Sequence, residues 1–488
     1  MNAWVAPLLL LTALIPAIGS FLIPERQHRL RNGLNLAGAA IKVAVVAVML
    51  VAVGEGIRFE TRIDLLDGVE LLLRVDALSL LFMTLSAGLW LVTTLYAISY
   101  LGHKPHPGRF FGFFSLCVFA TTGIALSGSL LTFFIFFEIL TLSTWPLVVH
   151  KQDRRSIRAG RSYLAYALPG SAALLFAMLW LESLAGPIVF TPGGVGLASN
   201  DALTLQVILV LLVLGLGVKA ALVPLHGWLP AAMAAPAPVS ALLHAVAVVK
   251  AGAFGLVRVI HDVYGITLVT ELGMGLAIGL LAGWTVLYGS WRALAQTEIK
   301  KRLAYSTVSQ VSYIALGAAL SGPTALIGAL AHLVHQGLMK ITLFFCAGIF
   351  DERAGVTRLD QLDGMGTRMP WTAACFSLGA LGMIGLPPMA GFISKVYLGI
   401  GAVEAGAGWV LIVLAGSTLL NACYFLPLLH RLWFRAPRSA DAPGEHPLGL
   451  IIPAVLTALA ALGAGVLAGL GISPLGWATL IVERHYLP

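Results

Sequence analysis

Ionisable residues inside long apolar stretches are the most telling feature of this sequence. The stretch LGLGVKAALVPLHGWLP, residues 214–230, holds Lys219 and His226 on either side of Pro224. An ionisable group at the centre of a bilayer costs at least ~2.5–3.5 kcal/mol on insertion scales, so such groups usually face a bundle interior and serve a function. Proton transfer is the chemistry that lysine and histidine offer in such a place.

A carboxylate in an earlier apolar stretch offers Lys219 a partner. Glu138 lies in LLTFFIFFEILTLSTW, and a buried carboxylate without a nearby cation is driven towards its neutral form. We therefore expect Glu138 and Lys219 to pair, with a static pair that only fixes helix packing as the alternative. Pro224 removes a backbone hydrogen bond, and a helix broken at that depth favours a polar cavity, to which His226 would give access. A kink that only shapes packing is the alternative.

Further histidines and lysines continue the pattern. APVSALLHAVAVVKAGAFGLVRV supplies His244 and Lys250, about 9 Å apart along one helix. GALAHLVHQGLMKITLFF supplies His332, His335 and Lys340. Histidine holds or releases a proton near neutral pH, so these groups are expected to pass protons through short bridging waters. For a lone histidine such as His244, a packing role is the competing interpretation.

A second interrupted stretch repeats the combination of prolines and a buried lysine. LGALGMIGLPPMAGFISKVYLGI is broken at Pro387 and Pro388 and carries Lys395. Two proline-interrupted spans five apart indicate an internal repeat of inverted topology, a frequent plan in transporters. Lys219 precedes its break whereas Lys395 follows its own, so sequence order alone does not make the two lysines symmetry mates.

The composition places these residues in a membrane. Of the 488 residues, 59% are hydrophobic and 11% charged, and the mean hydropathy is +0.92. Segments long enough to cross a bilayer follow one another along the chain, and segments of this length satisfy their backbone groups as helices. The predicted fold class is all-α, a polytopic membrane protein of about fourteen transmembrane helices with two inverted five-helix repeats and two broken helices. The predicted spans are 3–23, 32–53, 77–100, 110–127, 129–149, 161–183, 204–226, 238–260, 267–289, 303–320, 323–349, 371–399, 407–430 and 449–472.

Basic residues are concentrated in alternate connections between these spans. ERQHRLR and HKQDRRSIRAGR belong to the basic set, whereas SGS, SGP and VEAGAG carry neither lysine nor arginine. By the positive-inside rule the basic connections are cytoplasmic, so both termini are expected on the outer, periplasmic side of a cell (inner) membrane. Arg258 lies near an outer end, where it is expected to snorkel. Lys42 lies deeper, and no role is assigned to it.

The expected organisation follows from the spans and the repeat. Residues 1–108 are expected to hold helices 1–3 with an ordered outer hairpin over 54–76. The first repeat, helices 4–8, is expected over 109–262, and the second, helices 9–13, over 263–435. Residues 436–488 are expected to hold helix 14.

Several classes of site are not expected. Cys117, Cys346, Cys375 and Cys423 are widely spaced, without a CxxC pair, which favours buried thiols over a metal site or disulfide. The sequence contains no glycine-rich nucleotide loop and no Ser-His-Asp arrangement with a soluble pocket. No cofactor and no metal are expected, nor redox chemistry by this chain alone. The net charge of +8 follows the membrane topology and does not indicate nucleic acid.

Five stretches together resemble a known family. FFEILTLSTWPLV, VKAALVPLHGWLPAAMAAPAPVSALLHAVAVVKAG, EIKKRLAYSTVSQVSYI, AHLVHQGLMKITLFFCAG and GLPPMAGFISK look like the antiporter-like membrane subunits of respiratory complex I, membrane-bound hydrogenases and Mrp-type cation/proton antiporters. They cover the core from about 110 to 400. Ala231 departs from the acidic residue usual after WLP. Lys395 looks more like the D-type Mrp antiporter subunits or hydrogenase relatives than like the middle complex I subunit, which resembles the chain in length but often has glutamate at that site.

The resemblance implies a role for each candidate residue. Proton-transfer positions match Glu138, Lys219, Lys250 and Lys395, together with His244, His332 and His335, and a lysine at Lys340 occurs in several relatives. It also implies a core of fourteen helices and partner membrane subunits. The chain ends soon after its fourteenth predicted span, so it is expected to lack the long lateral helix of the largest complex I subunit of this kind.

The function expected from these residues is proton translocation along a buried Glu/Lys/His axis, with exchange for sodium as a variant. The chain would be one subunit of a multisubunit complex in the lipid bilayer, for instance of an NADH:quinone oxidoreductase or a hydrogenase-type translocase. Two alternatives stay open: a stand-alone cation/proton antiporter, and a structural membrane subunit without transport. Quinone binding by the bundle itself has no sequence feature in its favour.

Overall fold

The computed structural model describes residues 4–66, 69–102, 104–437, 444–445 and 447–486. Residue 3 of the first predicted span, residues 67 and 68 of the predicted hairpin and parts of 436–488 lie outside the described residues. The described chain is a helical bundle with one β-hairpin. Its elements are α1 Val5–Leu22, α2 His28–Gly54, β1 Phe59–Leu66, β2 Val69–Val75, α3 Ala77–Leu101, α4 Pro107–Leu126, α5 Leu130–Val148, α6 Arg154–Ala185, α7 Ala202–Ala220, α8 Trp228–Ala231, α9 Ala237–Ala245, α10 Val248–Arg258, α11 Ile266–Glu271, α12 Met274–Leu294, α13 Ile299–Ala319, α14 Pro323–Ala354, α15 Met365–Arg368, α16 Pro370–Ile384, α17 Ala390–Glu404, α18 Trp409–Phe434, α19 Leu448–Val466 and α20 Pro474–His485.

The helices have the length and composition of membrane spans. Twelve helical segments of the described chain are long and apolar enough to cross a membrane, when α9, α10 and the π-helical turn Val259–Tyr264 are taken as one. The chain is therefore a multi-pass helical membrane protein. The two remaining predicted spans coincide with α13 and with the pair α16 and α17. The number of fourteen stays a prediction.

Polar side chains fix where several of these helices begin. At the start of α3, α5, α6, α7 and α20 a side-chain oxygen accepts a hydrogen bond from the amide three residues further on. This satisfies one of the four free amides at a helix N-terminus and marks the first turn. The capping residues are Asp76, Ser129, Asp153, Asp201 and Ser473.

The segment 54–76 folds into a hairpin rather than a span. β1 and β2 pair antiparallel, with Phe59 opposite Val75. Arg62 forms ion pairs with Glu60 and Glu70, so part of the mixed charge that sets this segment apart in the sequence is paired within the hairpin.

Two segments form the centre of the bundle. The apolar 18-residue stretch of the segment Ala237–Tyr264 is fully buried, and that of α14 is 94% buried. The corresponding stretches of α1 and α2 are less than half buried. The two central segments carry five of the candidate residues. The architecture therefore places five of the eight proton-transfer candidates where lipid cannot reach them, at the cost of removing them from water.

Candidate functional site

The glutamate and the first lysine lie on neighbouring helices without touching. Glu138 is half-buried on α5, and its Oε1 accepts a hydrogen bond of 2.5 Å from the Ser171 hydroxyl on α6. Lys219 is buried in the last turn of α7 and donates to the main-chain carbonyl of Phe137. Its Nζ lies 3.2 Å from the centre of the Phe137 ring, a cation–π contact. No ion pair within 4.0 Å joins Glu138 and Lys219 in the described chain, so the directly paired arrangement expected from the sequence is not the one in this structure.

The helix that carries Lys219 ends earlier than its predicted limit of 226. α7 stops at Ala220, and Ala221 adopts the left-handed conformation with φ +57°. The Trp228 indole then donates to the Val218 carbonyl at 2.7 Å, which satisfies a group freed by the helix end. The Val223–Pro224 peptide bond is cis. Because the chain turns here, Lys219 and His226 do not share the face of one helix, as an unbroken span would have required.

His226 lies beyond the break in an aromatic surrounding. Its half-buried ring is 5.2 Å from the ring of Tyr288 and 6.1 Å from that of Tyr305. Its Nδ1 is buried and has no partner among the described residues. Pro224 is exposed. In the structure, Lys219 is thus a buried cation, Pro224 lies in an exposed turn, and His226 is a half-buried imidazole.

A second interruption, unforeseen in the sequence, separates His244 from Lys250. α9 ends at Ala245 and α10 begins at Val248, and the amides of Val246 and Ala247 both reach back to the Leu242 carbonyl. The expectation of one continuous helix through both residues was therefore wrong. No proline or glycine marks this position, so sequence signals of a break are missing.

His244 and Lys250 are both fully buried. Within the described part of the chain, the two ring nitrogens of His244 and the ammonium group of Lys250 have no hydrogen-bond partner. Buried polar groups without protein partners are the groups that internal water satisfies. Two residues after Lys250, Gly252 packs directly on the end of α7. A Cβ at Gly252 would lie 2.7 Å from the Leu216 carbonyl oxygen and 2.8 Å from the Lys219 carbonyl carbon.

The three candidates on α14 face different partners. His332 Nδ1 lies 2.8 Å from the Ser394 hydroxyl on α17, whereas both nitrogens of His335 are without a partner in the described chain. The charge of Lys250 acts on both histidines. Lys340 donates to the Ser306 hydroxyl at 2.7 Å on α13. α14 thus brings all three candidates within reach of the charge of Lys250, and Lys340 is in addition bonded to a polar group on α13.

Lys395 lies against the end of a half-helix. α16 stops at Ile384, Gly385 adopts φ +88°, and α17 resumes at Ala390 beyond the exposed, cis-linked Pro387 and Pro388. The Lys395 ammonium donates to the Ile384 carbonyl at 2.8 Å and to the Thr418 hydroxyl at 3.1 Å. A helix C-terminus carries partial negative charge, which favours a cation there.

The glycine at the end of α16 lies directly against the side chain of Lys395. A Cβ at Gly385 would lie 2.9 Å from Cδ and 3.1 Å from Nζ of Lys395. Glycine is therefore favoured at this position both by its positive φ and by the approach of the lysine side chain.

A set of polar residues beside Lys340, which we call the polar cluster, was not expected from the sequence. It joins α12, α13 and α18 through hydrogen bonds of 2.6–3.4 Å. Serines are common in any span, but the run YSTVSQVSYI on α13 was an available signal. The members of the polar cluster, all fully buried, are Ser290, Ser306, Ser309, Ser417, Asn421 and Tyr424.

Two buried cations lie away from these groups. Lys42 on α2 donates to the Thr122 hydroxyl at 2.5 Å, with its Nζ 5.6 Å from the centre of the Trp90 ring. Arg258 at the end of α10 forms ion pairs with Asp76 at 2.8 Å and Asp262 at 2.7 Å. It is 4% exposed, so the expectation that Arg258 snorkels was wrong: two carboxylates satisfy it inside the protein.

The site contains no geometry that would collect a metal ion. Among the described residues, no group of three or more histidine, cysteine, aspartate or glutamate side chains could hold one. The arrangement offers a series of buried ammonium and imidazole groups, the kinds of group that can hold or release protons.

Two family models match the sequence. The model described as NADH:quinone oxidoreductase/Mrp antiporter, transmembrane, matches residues 127–421. The model described as NADH-ubiquinone oxidoreductase (complex I), chain 5 N-terminus, matches residues 68–111. The first match contains every candidate residue named above.

Curated relatives come from several kinds of complex. NADH-quinone oxidoreductase subunit N of Desulforudis audaxviator is 37% identical over 394 residues, which cover 78% of this chain and 76% of that protein. The A/B subunit of a probable K(+)/H(+) antiporter of Rhizobium meliloti is 31% identical over 494 aligned residues, 97% of this chain and 48% of the relative. Hydrogenase-4 component B of Escherichia coli is 33% identical over 434 residues, 82% of this chain and 63% of the relative. The match therefore covers less than two thirds of the length of the antiporter subunit and of the hydrogenase component.

Two solved structures share the fold. A chain of the Mrp complex from Dietzia sp. DQ12-45-1b superposes with a TM-score of 0.86 at 22% identity, covering 98% of this chain and 97% of that one. A chain of the membrane-bound sulfane sulfur reductase, an archaeal respiratory membrane complex, superposes with a TM-score of 0.88 at 22% identity, covering 99% and 98%. The whole described bundle thus follows an architecture known from membrane complexes.

Proposed function

This chain belongs to the NADH:quinone oxidoreductase/Mrp antiporter family of membrane subunits, and on that premise we propose that it moves protons across a membrane as one subunit of a larger assembly. Exchange for sodium is a variant of the same proposal. The relatives in complex I, in an antiporter and in a hydrogenase support a role that does not depend on one particular electron donor.

One observation carries the proposal: the buried lysines have no carboxylate partners. Lys219, Lys250, Lys340 and Lys395 are each at most 9% exposed, and none of them takes part in an ion pair within 4.0 Å in the described chain. A permanently charged, unpaired lysine is expensive inside a membrane. Groups that alternate between charged and neutral forms avoid that cost for part of each cycle, which favours proton exchange over a static packing role.

The proposed route begins at Glu138 and Lys219. When Glu138 approaches Lys219 the ammonium group is stabilised, and when they separate the lysine gives up its proton more readily. The charge change then acts on Lys250, with His244 and internal waters as intermediates. Coupling arises because moving one charge changes the proton affinity of the next group.

The second half of the route runs along α14 to α17. Lys250 acts on His332 and His335, and His332 is in turn close enough to feel the charge of Lys395. Lys340 branches towards the polar cluster, and Lys395 is the exit group of this proposal. Pro224, His226, Pro387 and Pro388 are proposed to open the two breaks to water.

Matching breaks in α7 and α16 support the proposal of an inverted repeat. Each helix ends one residue before a left-handed residue, Ala221 or Gly385. A proline follows three residues later, at Pro224 and Pro388, and a glycine follows six residues later. The proposed units remain 109–262 and 263–435.

The register of the two breaks accounts for the unequal places of their lysines. Counted from the left-handed residue, Lys395 corresponds to Ala231, and Lys219 corresponds to Met383. Each half therefore has its cation where the other half has an apolar side chain. The proposed pathway is consequently directional, because its two breaks differ chemically although their backbones are alike.

We place the chain in the cell (inner) membrane with both termini on the outer side, because the basic connections then face the cytoplasm. Other membrane subunits are the proposed partners. A stand-alone antiporter is the second candidate for the protein, and a purely structural role is disfavoured by the unpaired lysines.

The test compares the whole assembly, purified from its own membranes, with the isolated chain in liposomes of the same composition. Proton movement is followed with a pH-sensitive dye under an imposed sodium gradient or, for a redox-driven assembly, during turnover. We expect flux from the assembly and none from the chain alone. Flux from the isolated chain would support the stand-alone antiporter, and an assembly whose flux is unaffected by removal of this chain would overturn the proposal.

A further inference from the structure

A continuous series of hydrogen bonds connects Lys340 with the surroundings of Lys395. Lys340 donates to the Ser306 hydroxyl at 2.7 Å, and the Tyr424 hydroxyl lies 2.8 Å from the same oxygen. Tyr424 is also 2.6 Å from Oδ1 of Asn421. Asn421 Nδ2 donates to the Met383 carbonyl at 3.1 Å, which accepts from Lys395 at 3.5 Å.

The end of this series at Asn421 is fixed by elementary donor and acceptor rules. A carbonyl oxygen only accepts, so the amide nitrogen of Asn421 must face Met383. The amide oxygen of Asn421 is then left for Tyr424, and it too only accepts. The Tyr424 hydroxyl proton must therefore point at Asn421 for that bond to exist.

The charge of Lys340 decides the direction of the remaining bonds. An ammonium group has donors and no acceptor, so the Ser306 oxygen accepts from charged Lys340 and its proton is free to point at Tyr424. All bonds then run from Lys340 towards Asn421. A neutral amine has a lone pair, so Ser306 can then donate to Lys340 and accept from Tyr424. In that arrangement the hydroxyl proton of Tyr424 leaves Asn421.

We propose that Tyr424 is a positioning residue whose hydroxyl rotates between Asn421 and Ser306 as Lys340 loses and regains its proton, which changes the hydrogen bonding around Lys395. This inference rests on the proposed function, since it assumes that Lys340 exchanges protons. Tyr424 couples two proton-exchanging lysines and carries no net proton between them, because the Asn421 amide does not pass a proton on. Apart from the N–H bond that Lys340 breaks and re-forms as it exchanges its proton along the proposed route, only hydrogen bonds change.

The surroundings of Tyr424 suit a rotating hydroxyl on a fixed ring. Arg302 donates to the main-chain oxygen of Tyr424 at 2.8 Å and also binds the carbonyls of Leu294 and Gln296, so the backbone is held. The ring packs 4.6 Å from that of Phe425. Only the torsion of the hydroxyl remains free to respond.

Asn421 has a second donor available when Tyr424 turns away. The Ser290 hydroxyl lies 3.4 Å from Oδ1 of Asn421, and Ser290 also contacts Ser309 at 2.8 Å and Ser417 at 3.1 Å. A buried acceptor that loses its only partner costs free energy. The serines of the polar cluster lower that cost, which makes both orientations of Tyr424 accessible.

The test uses Tyr424→Phe in the complete assembly, with Tyr96→Phe as the matched control. Tyr96 is equally buried and donates one hydrogen bond, at 3.1 Å, to the Phe345 carbonyl. We expect Tyr424→Phe to lower proton flux by about fivefold, the factor that corresponds to one buried hydrogen bond, whereas Tyr96→Phe keeps its flux. Equal loss in both variants would indicate a general packing effect and would refute the switch.

A second measurement gives a readout that packing does not affect. Infrared difference spectra between low and high pH, recorded with ring-labelled tyrosine, report whether a tyrosine hydroxyl donates or accepts. The wild-type assembly should show a tyrosine band that is missing in Tyr424→Phe and also in Lys340→Met. A band that survives in Lys340→Met, or none in wild type, overturns the inference. Lys395→Ala tests the proposed function separately, because its flux must vanish whether or not Tyr424 acts as described.

Discussion

Lys219 donates its hydrogen bond to the main-chain carbonyl of Phe137, one residue before Glu138, while Glu138 accepts from Ser171 on the neighbouring helix. The two charged side chains are thus held apart by partners of their own. In the proposed mechanism, Lys219 releases its proton in this separated arrangement. It keeps its proton when Glu138 and Lys219 are paired.

Replacing Lys219 by alanine should abolish transport and leave assembly intact. The lysine is the first proton-exchanging group of the proposed route, and no other amine replaces it there. Proton flux in membrane vesicles measures the effect, and gel filtration of the purified assembly checks its integrity. Lys104→Ala is the matched control, since Lys104 lies between α3 and α4 and loses a surface ion pair with Glu352, worth about 0.2–1 kcal/mol, and a cation–π contact with the Tyr100 ring. Normal pumping by Lys219→Ala would sink the proposal.

Ser171→Ala should slow transport by strengthening the pair between Glu138 and Lys219. Without the Ser171 hydroxyl, the carboxylate loses its present partner, and Lys219 is the nearest cation that replaces it. We expect flux to fall by about tenfold or more, because a hydrogen bond to a charged group is worth about 1.5–3 kcal/mol. Ser183→Ala on the same helix is the control, because the exposed Ser183 hydroxyl binds only the Trp180 carbonyl. Unchanged flux in Ser171→Ala would contradict the role given to this contact.

Gly385→Ala should disturb Lys395 as well as the backbone. A left-handed residue with a Cβ costs roughly 1–2 kcal/mol, and here the added methyl group would also meet the lysine side chain. Gly406→Ala separates the two effects, since Gly406 has φ +67° and nothing within 4 Å of its added Cβ. Both variants should melt at lower temperature, but only Gly385→Ala should lose flux. Equal flux in the two variants would show that Lys395 tolerates displacement.

Arg258→Met should destabilise the protein far more than a surface arginine change. It leaves Asp76 and Asp262 without their shared cation, and breaking a buried pair costs about 3–5 kcal/mol. Arg62→Met on the hairpin removes two ion pairs from an arginine that is 55% exposed, so its melting temperature should hardly change. Thermal melting of the purified assembly distinguishes them.

The same arginine predicts how stability depends on pH. Burial alone would raise the pKa of Asp76, but Arg258 and the Ser79 amide outweigh burial and lower it. A carboxylate with a lowered pKa in the folded state contributes stability above its unfolded pKa and loses it as pH falls through the folded value. The difference in melting temperature between wild type and Arg258→Met should therefore shrink below about pH 4. A constant difference would rule out this linkage.

The sequence was sufficient for the features that depend on hydropathy. A lysine in an apolar run is visible without coordinates, and Lys219, Lys250, Lys340 and Lys395 are all buried as that pattern predicts. The break near Pro387 was also visible in the sequence, because proline cannot continue a helix.

Side-chain partners could not be read in the same way. The direct pair of Glu138 with Lys219 assumed that opposite charges meet, whereas Ser171 and the Phe137 carbonyl compete for them at shorter range. The interruption between His244 and Lys250 contains no proline or glycine, so no local sequence signal marks it. Tyr424 lies 84 residues from Lys340 in the sequence, so their link through Ser306 depends wholly on the fold.

The contact at Gly252 has a consequence for timing. Because α10 packs backbone to backbone on α7 at Gly252, we expect the distance between Lys219 and Lys250 to change through side-chain rotation and not through sliding of helices. Helix displacements take microseconds to milliseconds, and side-chain rotations are far faster. Proton exchange between these two lysines therefore needs only side-chain rotation within a fixed backbone. We expect the slow step of turnover elsewhere in the assembly.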